Sequence, residues 1–184
     1  MTTATKPHSR PRHRRPATIK TMRLSTPVGE LILCADDDGL THLVLPGAAR
    51  PPQSAGVEEN DGGQDIGIHH HLLAAAMQLD EYFAGERRTF ELALDPQGTA
   101  FQRKVWFALA DIPYGTTISY GELARRVGSP KGFRAVGQAN GKNPLAIILP
   151  CHRVITSEGT IGGYGGGLPM KRELLALEGA APFH

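Results

Sequence analysis

The stretch that decides the fold runs Ser119-Tyr120-Gly121-Glu122-Leu123-Ala124-Arg125-Arg126-Val127-Gly128-Ser129-Pro130-Lys131-Gly132-Phe133-Arg134-Ala135-Val136-Gly137-Gln138-Ala139-Asn140-Gly141. Ser119 to Glu122 fits a capping box, the serine accepting from the first turn and the glutamate reaching back, so a helix is predicted from here to Val127. Gly128-Ser129-Pro130 then supplies a turn, a cap and a first-turn proline for a second helix over residues 131–141. Two short helices across a three-residue turn, the second bearing Lys131 and Arg134, match a helix-turn-helix. The same pattern also describes two helices that merely pack a core. The second helix is unusually bare: Ala135, Gly137, Ala139 and Gly141 lower its stability but allow close approach of its backbone, either to another helix or to a nucleic-acid groove.

Upstream, β-like runs over residues 19–25, 30–35 and 40–45 are separated by Thr26-Pro27-Val28-Gly29 and Asp36-Asp37-Asp38-Gly39, which predicts an antiparallel meander. Residues 46–67, rich in Pro, Gly and acids, are expected to form a flexible excursion. A helix is predicted over residues 69–84, with Leu72, Leu73, Ala76, Leu79 and Phe83 as its apolar stripe. A strand over 89–94 follows. Thr99 is the expected cap of a helix running to Asp111, with Phe101, Val105, Trp106 and Leu109 on one face.

The 184 residues carry a net charge of only +2, but the charge is unevenly placed. Residues 1–20 hold six cations and no acid, residues 21–99 sum to −9, and residues 100–184 sum to +5. A polyanion is the natural partner of the basic C-terminal half. Pro7, Pro11 and Pro16 set residues 1–17 against helix, which leaves a disordered basic arm, either a solvated tail or a weak electrostatic contact to DNA. Two cysteines, Cys34 and Cys151, exclude a disulfide scaffold and a Cys-rich zinc site. No apolar run suits a signal peptide or a membrane span, so a cytoplasmic protein with reduced thiols and no membrane partner is expected.

Beyond the second helix come Asn143-Pro144, an apolar strand-like run over 145–149, and Pro150-Cys151-His152-Arg153-Val154. A cysteine ending a buried run is ordinarily an inert small hydrophobe. Here Pro150 fixes a bend, His152 places a titratable base beside the thiol, and Arg153 adds a positive field, all of which favour thiolate. Neighbours in a strand face opposite ways, so either the chain turns sharply here or a water links His152 to Cys151. A third group must then orient the imidazole. Glu178, in the last turn of a helix predicted over 168–178 with Pro169 near its start and Gly179 as its left-handed stop, is misplaced with respect to the helix dipole and is the candidate. The glycines around Tyr164 lack the Gly-Lys-Ser/Thr of a phosphate loop and suit a backbone wrapped around a flat ligand, with Tyr164 as a wall.

Pro150-Cys151-His152-Arg153-Val154, with Asn143-Pro144 before it, Tyr164 and its glycines after it, and Leu177-Glu178-Gly179 at the end, closely resembles the O6-alkylguanine-DNA alkyltransferases. The resemblance covers roughly residues 18–180 and is strongest from 99 onward. It implies an α/β N-terminal ribonuclease-H-like domain (18–97) and a mainly α C-terminal domain (98–184) with a winged helix-turn-helix. It implies that Cys151 takes the alkyl group from guanine O6, or from thymine O4, in double-stranded DNA and keeps it as a thioether, one turnover per molecule. His152 would deprotonate the thiol through a water, Glu178 would orient His152, and Asn143 would hold the local backbone. Tyr120 would contact phosphate and assist protonation of the leaving guanine. Arg134 would fill the stack vacated by the flipped base from the minor groove, with Lys131, Ala135 and Gly137 on the same DNA-facing helix. Tyr164 would line the substrate pocket, and backbone groups at Cys151 and Val154 would read the guanine edge. Gly165 stands where a serine is frequent, and Ala146 where a proline can occur, which bears on the alkyl groups accepted. No cofactor or metal is expected: Cys34 has no second cysteine near it, and His69-His70-His71 reads as a helix start. A monomer is expected. Two rivals remain open: a cysteine hydrolase that turns over repeatedly, and a non-catalytic alkylated-DNA binding or regulatory protein of the same fold.

Overall fold

The computed structural model describes residues 18–47 and 66–180. The expected basic arm and nearly all of the expected excursion lie outside the described residues. Strands β1 (Lys20–Thr26), β2 (Gly29–Asp36) and β3 (Gly39–Val44) form the expected antiparallel meander in the order β1-β2-β3. Its turns are closed by side chains: Thr26 Oγ1 donates to Gly29 O (2.6 Å), and Asp36 Oδ1 accepts from the N–H groups of Asp38 (3.0 Å) and Gly39 (3.2 Å). Gly39 sits at φ +148°, and a Cβ there would lie 2.5 Å from the Ala93 carbonyl oxygen. Glycine therefore lets the 93–95 segment dock, through Leu40 N–H to Ala93 O (2.9 Å) and Asp95 N–H to Leu40 O (2.8 Å).

The strand expected over 89–94 shrinks to a single bridge between Leu40 and Leu94. Its backbone is satisfied from elsewhere: the Gln78 amide donates to Glu91 O (3.0 Å) and accepts from Glu91 N–H (2.8 Å), replacing a ladder partner. Gln78 belongs to α1 (Ile66–Phe83), which packs on the sheet. The buried stripe of α1 is Ile68, Leu72, Ala75, Leu79 and Tyr82, a regular helical spacing of four and three. Leu73, assigned to that stripe from sequence, lies one residue round the helix and is 52% exposed.

Helix α2 (Ala100–Ala110) begins with a full capping box between Thr99 and Gln102 and buries Val105, Trp106 and Leu109, while Phe101 stays partly exposed. Trp106 Nε1 donates to Ala139 O (2.7 Å), tying α2 to α4 (Phe133–Gly141). Between them lie β4 (Ile118–Ser119) and α3 (Tyr120–Arg126). Only half of the capping box expected for α3 forms. Ser119 Oγ accepts from Glu122 N–H (3.1 Å), but the Glu122 carboxylate is taken by Arg125 and Arg126.

Helix α4 starts two residues later than expected. Gly132 N–H closes a turn on Ser129 O (2.8 Å), so Pro130 and Lys131 belong to the turn and not to the helix. Short β5 (Val154–Ile155) runs parallel to β4, and α5 (Gly167–Leu177) ends as expected, with Gly179 at φ +67°. A continuous buried apolar cluster runs from β2 and β3 through α1, α2 and α4 to α5, so both halves of the chain support one centre. No helix among the described residues is long and apolar enough to cross a membrane.

Candidate active site

Residues 145–149 do not form the expected strand. They make a tight buried turn, with Leu149 N–H on Leu145 O (2.8 Å) and Ile147 at φ +74°. A β-branched residue in that region costs about 1–3 kcal/mol, and the strain persists only where the surroundings enforce it. Asn143 enforces it. Its Nδ2 donates to Leu149 O (2.7 Å) and its Oδ1 accepts from Leu145 N–H (3.0 Å), clamping both ends of the turn. Leu43 N–H on Pro144 O (2.7 Å) anchors the same turn to β3.

From this support the chain enters a single turn of 3-10 helix, Cys151–Arg153, with Cys151 N–H bonded to Leu149 O (2.7 Å). The sharp turn resolves the strand problem raised by the sequence, but it does not bond imidazole to thiol. Cys151, His152 and Arg153 are all buried. Burial pushes the Cys151 thiol up, opposed by a hydrogen bond from the Asn143 amide and by the Lys171 charge.

His152 Nε2 lies 2.8 Å from Glu178 Oε1, as expected. Glu178 also accepts from Arg153 Nε (2.9 Å) and Nη2 (2.9 Å), Tyr82 OH (2.8 Å) and Gly115 N–H (3.2 Å). Burial would raise the Glu178 pKa, but hydrogen bonds and charge from His152 and Arg153 overcome it and hold the carboxylate at about 2. A carboxylate so loaded with donors is anionic and can only accept. His152 therefore carries its proton on Nε2 and presents a lone pair at Nδ1, which is buried without a hydrogen-bond partner among the described residues. Burial lowers the His152 pKa more than Glu178 raises it, so the ring is a neutral base near pH 7.

Arg153 corrects an expectation. Its guanidinium is committed to Glu178 and to Ile112 O, so its charge serves the carboxylate and not the thiol. The cation acting on Cys151 is Lys171, which sequence reasoning missed. Lys171 is fully buried on α5 and donates to Val154 O, Ile161 O and Gly163 O; burial lowers its pKa to about 8. The one signal for it in the sequence is its place in the apolar stripe of α5, beside Met170 and Leu174.

Tyr164 stands edge-on to His152, with ring centroids 6.4 Å apart, and its hydroxyl is buried without a hydrogen-bond partner among the described residues. The neighbouring Gly165 is exposed and Ala146 is buried. Both backbone groups of Val154 are already engaged, the N–H with Cys151 O and the carbonyl with Lys171, so this residue has less to offer a ligand than expected. Tyr120 links the helical pair to the site: the Cys151 charge contributes to raising its pKa, behind burial, and its ring lies 3.7 Å from where a Gly137 Cβ would be. Lys131, Arg134 and Ala135 are exposed beside it, whereas Ala139 is core. The Arg134 guanidinium sits 5.9 Å from the exposed Phe133 ring.

The comparisons with known proteins agree with this geometry. Residues 19–96 match the family model for the 6-O-methylguanine DNA methyltransferase ribonuclease-like domain, and residues 100–180 match that for its DNA binding domain. The chain is 46% identical over 160 residues to a methylated-DNA–protein-cysteine methyltransferase of Mycolicibacterium paratuberculosis, covering 87% of this chain and 92% of that one. It is 44% identical to the enzyme of that name from Methanosarcina acetivorans, covering 84% and 95%. Among solved structures, it is similar to the Mycobacterium tuberculosis O6-methylguanine methyltransferase (44% identity, TM-score 0.75, 89% and 95% covered). A structure of that organism's protein in complex with DNA also matches, at 43% identity and TM-score 0.73, with 88% and 92% covered. With both halves matched in order, and with a buried Cys151 set beside the His152–Glu178 pair, this chain belongs to the 6-O-methylguanine DNA methyltransferase family.

Proposed function

We propose that the chain repairs DNA by moving an alkyl group from guanine O6 to its own Cys151, as a methylated-DNA–protein-cysteine methyltransferase. The observation that carries this reading is the orientation of His152: Nε2 held by an anionic Glu178, Nδ1 free to accept, one residue from a buried thiol. The thiol proton passes through a water to Nδ1, and the thiolate sulfur attacks the saturated alkyl carbon. The carbon–O6 bond breaks as the carbon–sulfur bond forms, and guanine leaves with a proton supplied on the Tyr120 side. The thioether has no route back, so each molecule reacts once.

Residues 98–184 act as the DNA-binding unit, a helix-turn-helix of α3 and α4 with the β5 turn as its wing, and residues 18–97 as its support. The target base leaves the duplex into the space walled by Tyr164, with Ala146 and Gly165 at its margin and Val154 beneath. Exposed Arg134, with no ion pair among the described residues, takes the vacated place from the minor groove, flanked by Lys131, Ala135 and Gly137. The protein works as a monomer on O6-alkylguanine in double-stranded DNA. The retained nucleophile and its relay favour transfer over a non-catalytic lesion binder, which has no use for either.

The test is intact mass and peptide mapping after incubation with an oligonucleotide containing O6-methylguanine. A single methyl-sized step on the Cys151 peptide is expected, with none on Cys34, whose thiol burial pushes up to about 11. Repeated turnover with an unmodified Cys151 would overturn the reading in favour of a hydrolase. Arg134→Ala should slow transfer from duplex DNA by about 10- to 100-fold, the cost of an unsupported base flip, while leaving reaction with free O6-benzylguanine unchanged. Equal losses on both substrates would remove Arg134 from the flipping step.

A further inference from the structure

Among the described residues, four of the groups that donate to the Glu178 carboxylate belong to Gly115, His152 and Arg153, and one comes from the other half of the chain. Tyr82, on the buried stripe of α1, donates its hydroxyl to Glu178 Oε1 across 2.8 Å. We propose that Tyr82 is a positioning residue of the transfer centre: it fixes the Glu178 oxygen that orients His152, so the N-terminal half sets the reactivity of Cys151. The inference rests on the His152–Glu178 relay proposed above.

Three observations support it. The oxygen that Tyr82 holds is the one His152 Nε2 uses, whereas Gly115 N–H binds the other oxygen. The ring is immobilised on several sides, with centroids 5.3 Å from Phe83, 5.5 Å from Phe90 and 6.1 Å from Tyr114. The hydroxyl stays protonated, because burial and the Glu178 charge both raise its pKa, and so it is a donor throughout the working range of pH. A tyrosine serving only to fill the core would do as well as phenylalanine. The hydroxyl at this depth incurs a desolvation cost and is placed on the one carboxylate the relay uses.

The charged and titratable groups around the pair are Cys151 and Arg153 from the turn, Lys171 from α5, Tyr164 from the glycine loop, Tyr114 from the α2–β4 connection and Tyr82 from α1. Removing the Tyr82 donor returns negative charge to Oε1, which favours the imidazolium and raises the His152 pKa. The acid limb of the transfer rate then moves to higher pH. Losing the fixed rotamer also lowers the plateau, by about fivefold for one hydrogen bond.

The experiment compares the full chain with Tyr82→Phe across pH, on O6-methylguanine DNA and on free O6-benzylguanine. Both substrates should show the same lowered plateau and the same upward shift of the acid midpoint. A lowered melting temperature with an unmoved midpoint and plateau would make Tyr82 structural only and overturn the proposal. Should Tyr82→Phe not fold, 3,5-difluorotyrosine at position 82 keeps the ring and strengthens the donor, so the midpoint must move to lower pH; no movement overturns the proposal. Failure of the relay itself would look different. Tyr82 is refuted alone if Glu178→Gln moves the acid limb and Tyr82→Phe does not, whereas an acid limb unmoved in Glu178→Gln refutes the relay and the inference with it.

Discussion

Glu178→Ala is expected to destabilise the protein by about 3–5 kcal/mol and to slow alkyl transfer by about 10²- to 10⁴-fold. The stability loss follows from what the carboxylate leaves behind. Arg153 is buried, and without Glu178 its one remaining hydrogen-bond partner among the described residues is the Ile112 carbonyl, with the Tyr114 ring 5.8 Å from its guanidinium. The N–H of His152, the hydroxyl of Tyr82 and the N–H of Gly115 all lose their acceptor as well. In a chain of this length each kcal/mol lowers the melting temperature by roughly 2–4 °C, so the shift is large by calorimetry. The rate loss has a separate origin. Without an anion on Nε2, the imidazole is free to place its proton on Nδ1 and so ceases to be a base towards Cys151. Glu178→Gln keeps the volume and separates the two: it should recover part of the stability and little of the rate. A Glu178→Gln protein that transfers at the wild-type rate would remove the relay from the mechanism.

The same pair sets the response to acid. His152 has a folded pKa below its ordinary value, so the unfolded chain binds the extra proton first and stability begins to fall as pH drops through about 6.5. Glu178 has a folded pKa of about 2, so its contribution is complete above the ordinary glutamate value of roughly 4.3 and is lost as pH falls from there towards 2. Both act in one direction. Acid unfolding of the wild type should steepen below about pH 4, and Glu178→Gln should flatten that part of the curve.

Much of this centre was legible in the sequence because its chemistry is local. Cys151 and His152 adjoin, Asn143 lies a short turn upstream, and Glu178 stands at a helix end where an anion needs a reason to be. What the sequence hid falls into two kinds. Tyr82 and Gly115 reach Glu178 across 96 and 63 residues, and no spacing rule connects them. Gly115 is tightly specified even so: at φ +74°, with the Glu178 carbonyl oxygen 2.7 Å from any Cβ, no side chain fits. The second kind is competition for partners. Residues 145–149 and 89–94 have strand-like composition, but side chains of Asn143 and Gln78 satisfy their backbones before a neighbouring strand can. Arg153 stands beside the thiol in sequence, but in the fold its charge turns to the stronger acceptor, the Glu178 carboxylate.

Asn143 shows how far such a clamp controls chemistry, and its two substitutions should rank in an order that steric reasoning alone would not give. Asn143→Ala removes the donor to Leu149 O and the acceptor for Leu145 N–H, at about 1–3 kcal/mol for each buried group left unpaired. The turn then relaxes away from the strained Ile147 conformation and takes Cys151 with it. The thiol also loses the amide hydrogen bond that opposes its burial, so its pKa rises further. Transfer to Cys151 should fall by about 10- to 100-fold at neutral pH. Asn143→Asp is nearly isosteric and keeps the bond from Leu145 N–H, so it should fold better than the alanine variant. It nevertheless sets a negative charge beside the thiol and faces the Leu149 carbonyl with a second acceptor, so it should react more slowly than Asn143→Ala. Alkylation of Cys151 by iodoacetamide as a function of pH measures the thiol directly: its midpoint should rise from wild type to Asn143→Ala to Asn143→Asp, while melting temperature orders the two variants the other way. If rate and melting temperature instead fell together, Asn143 would act through the stability of the turn alone and not through the thiol it faces.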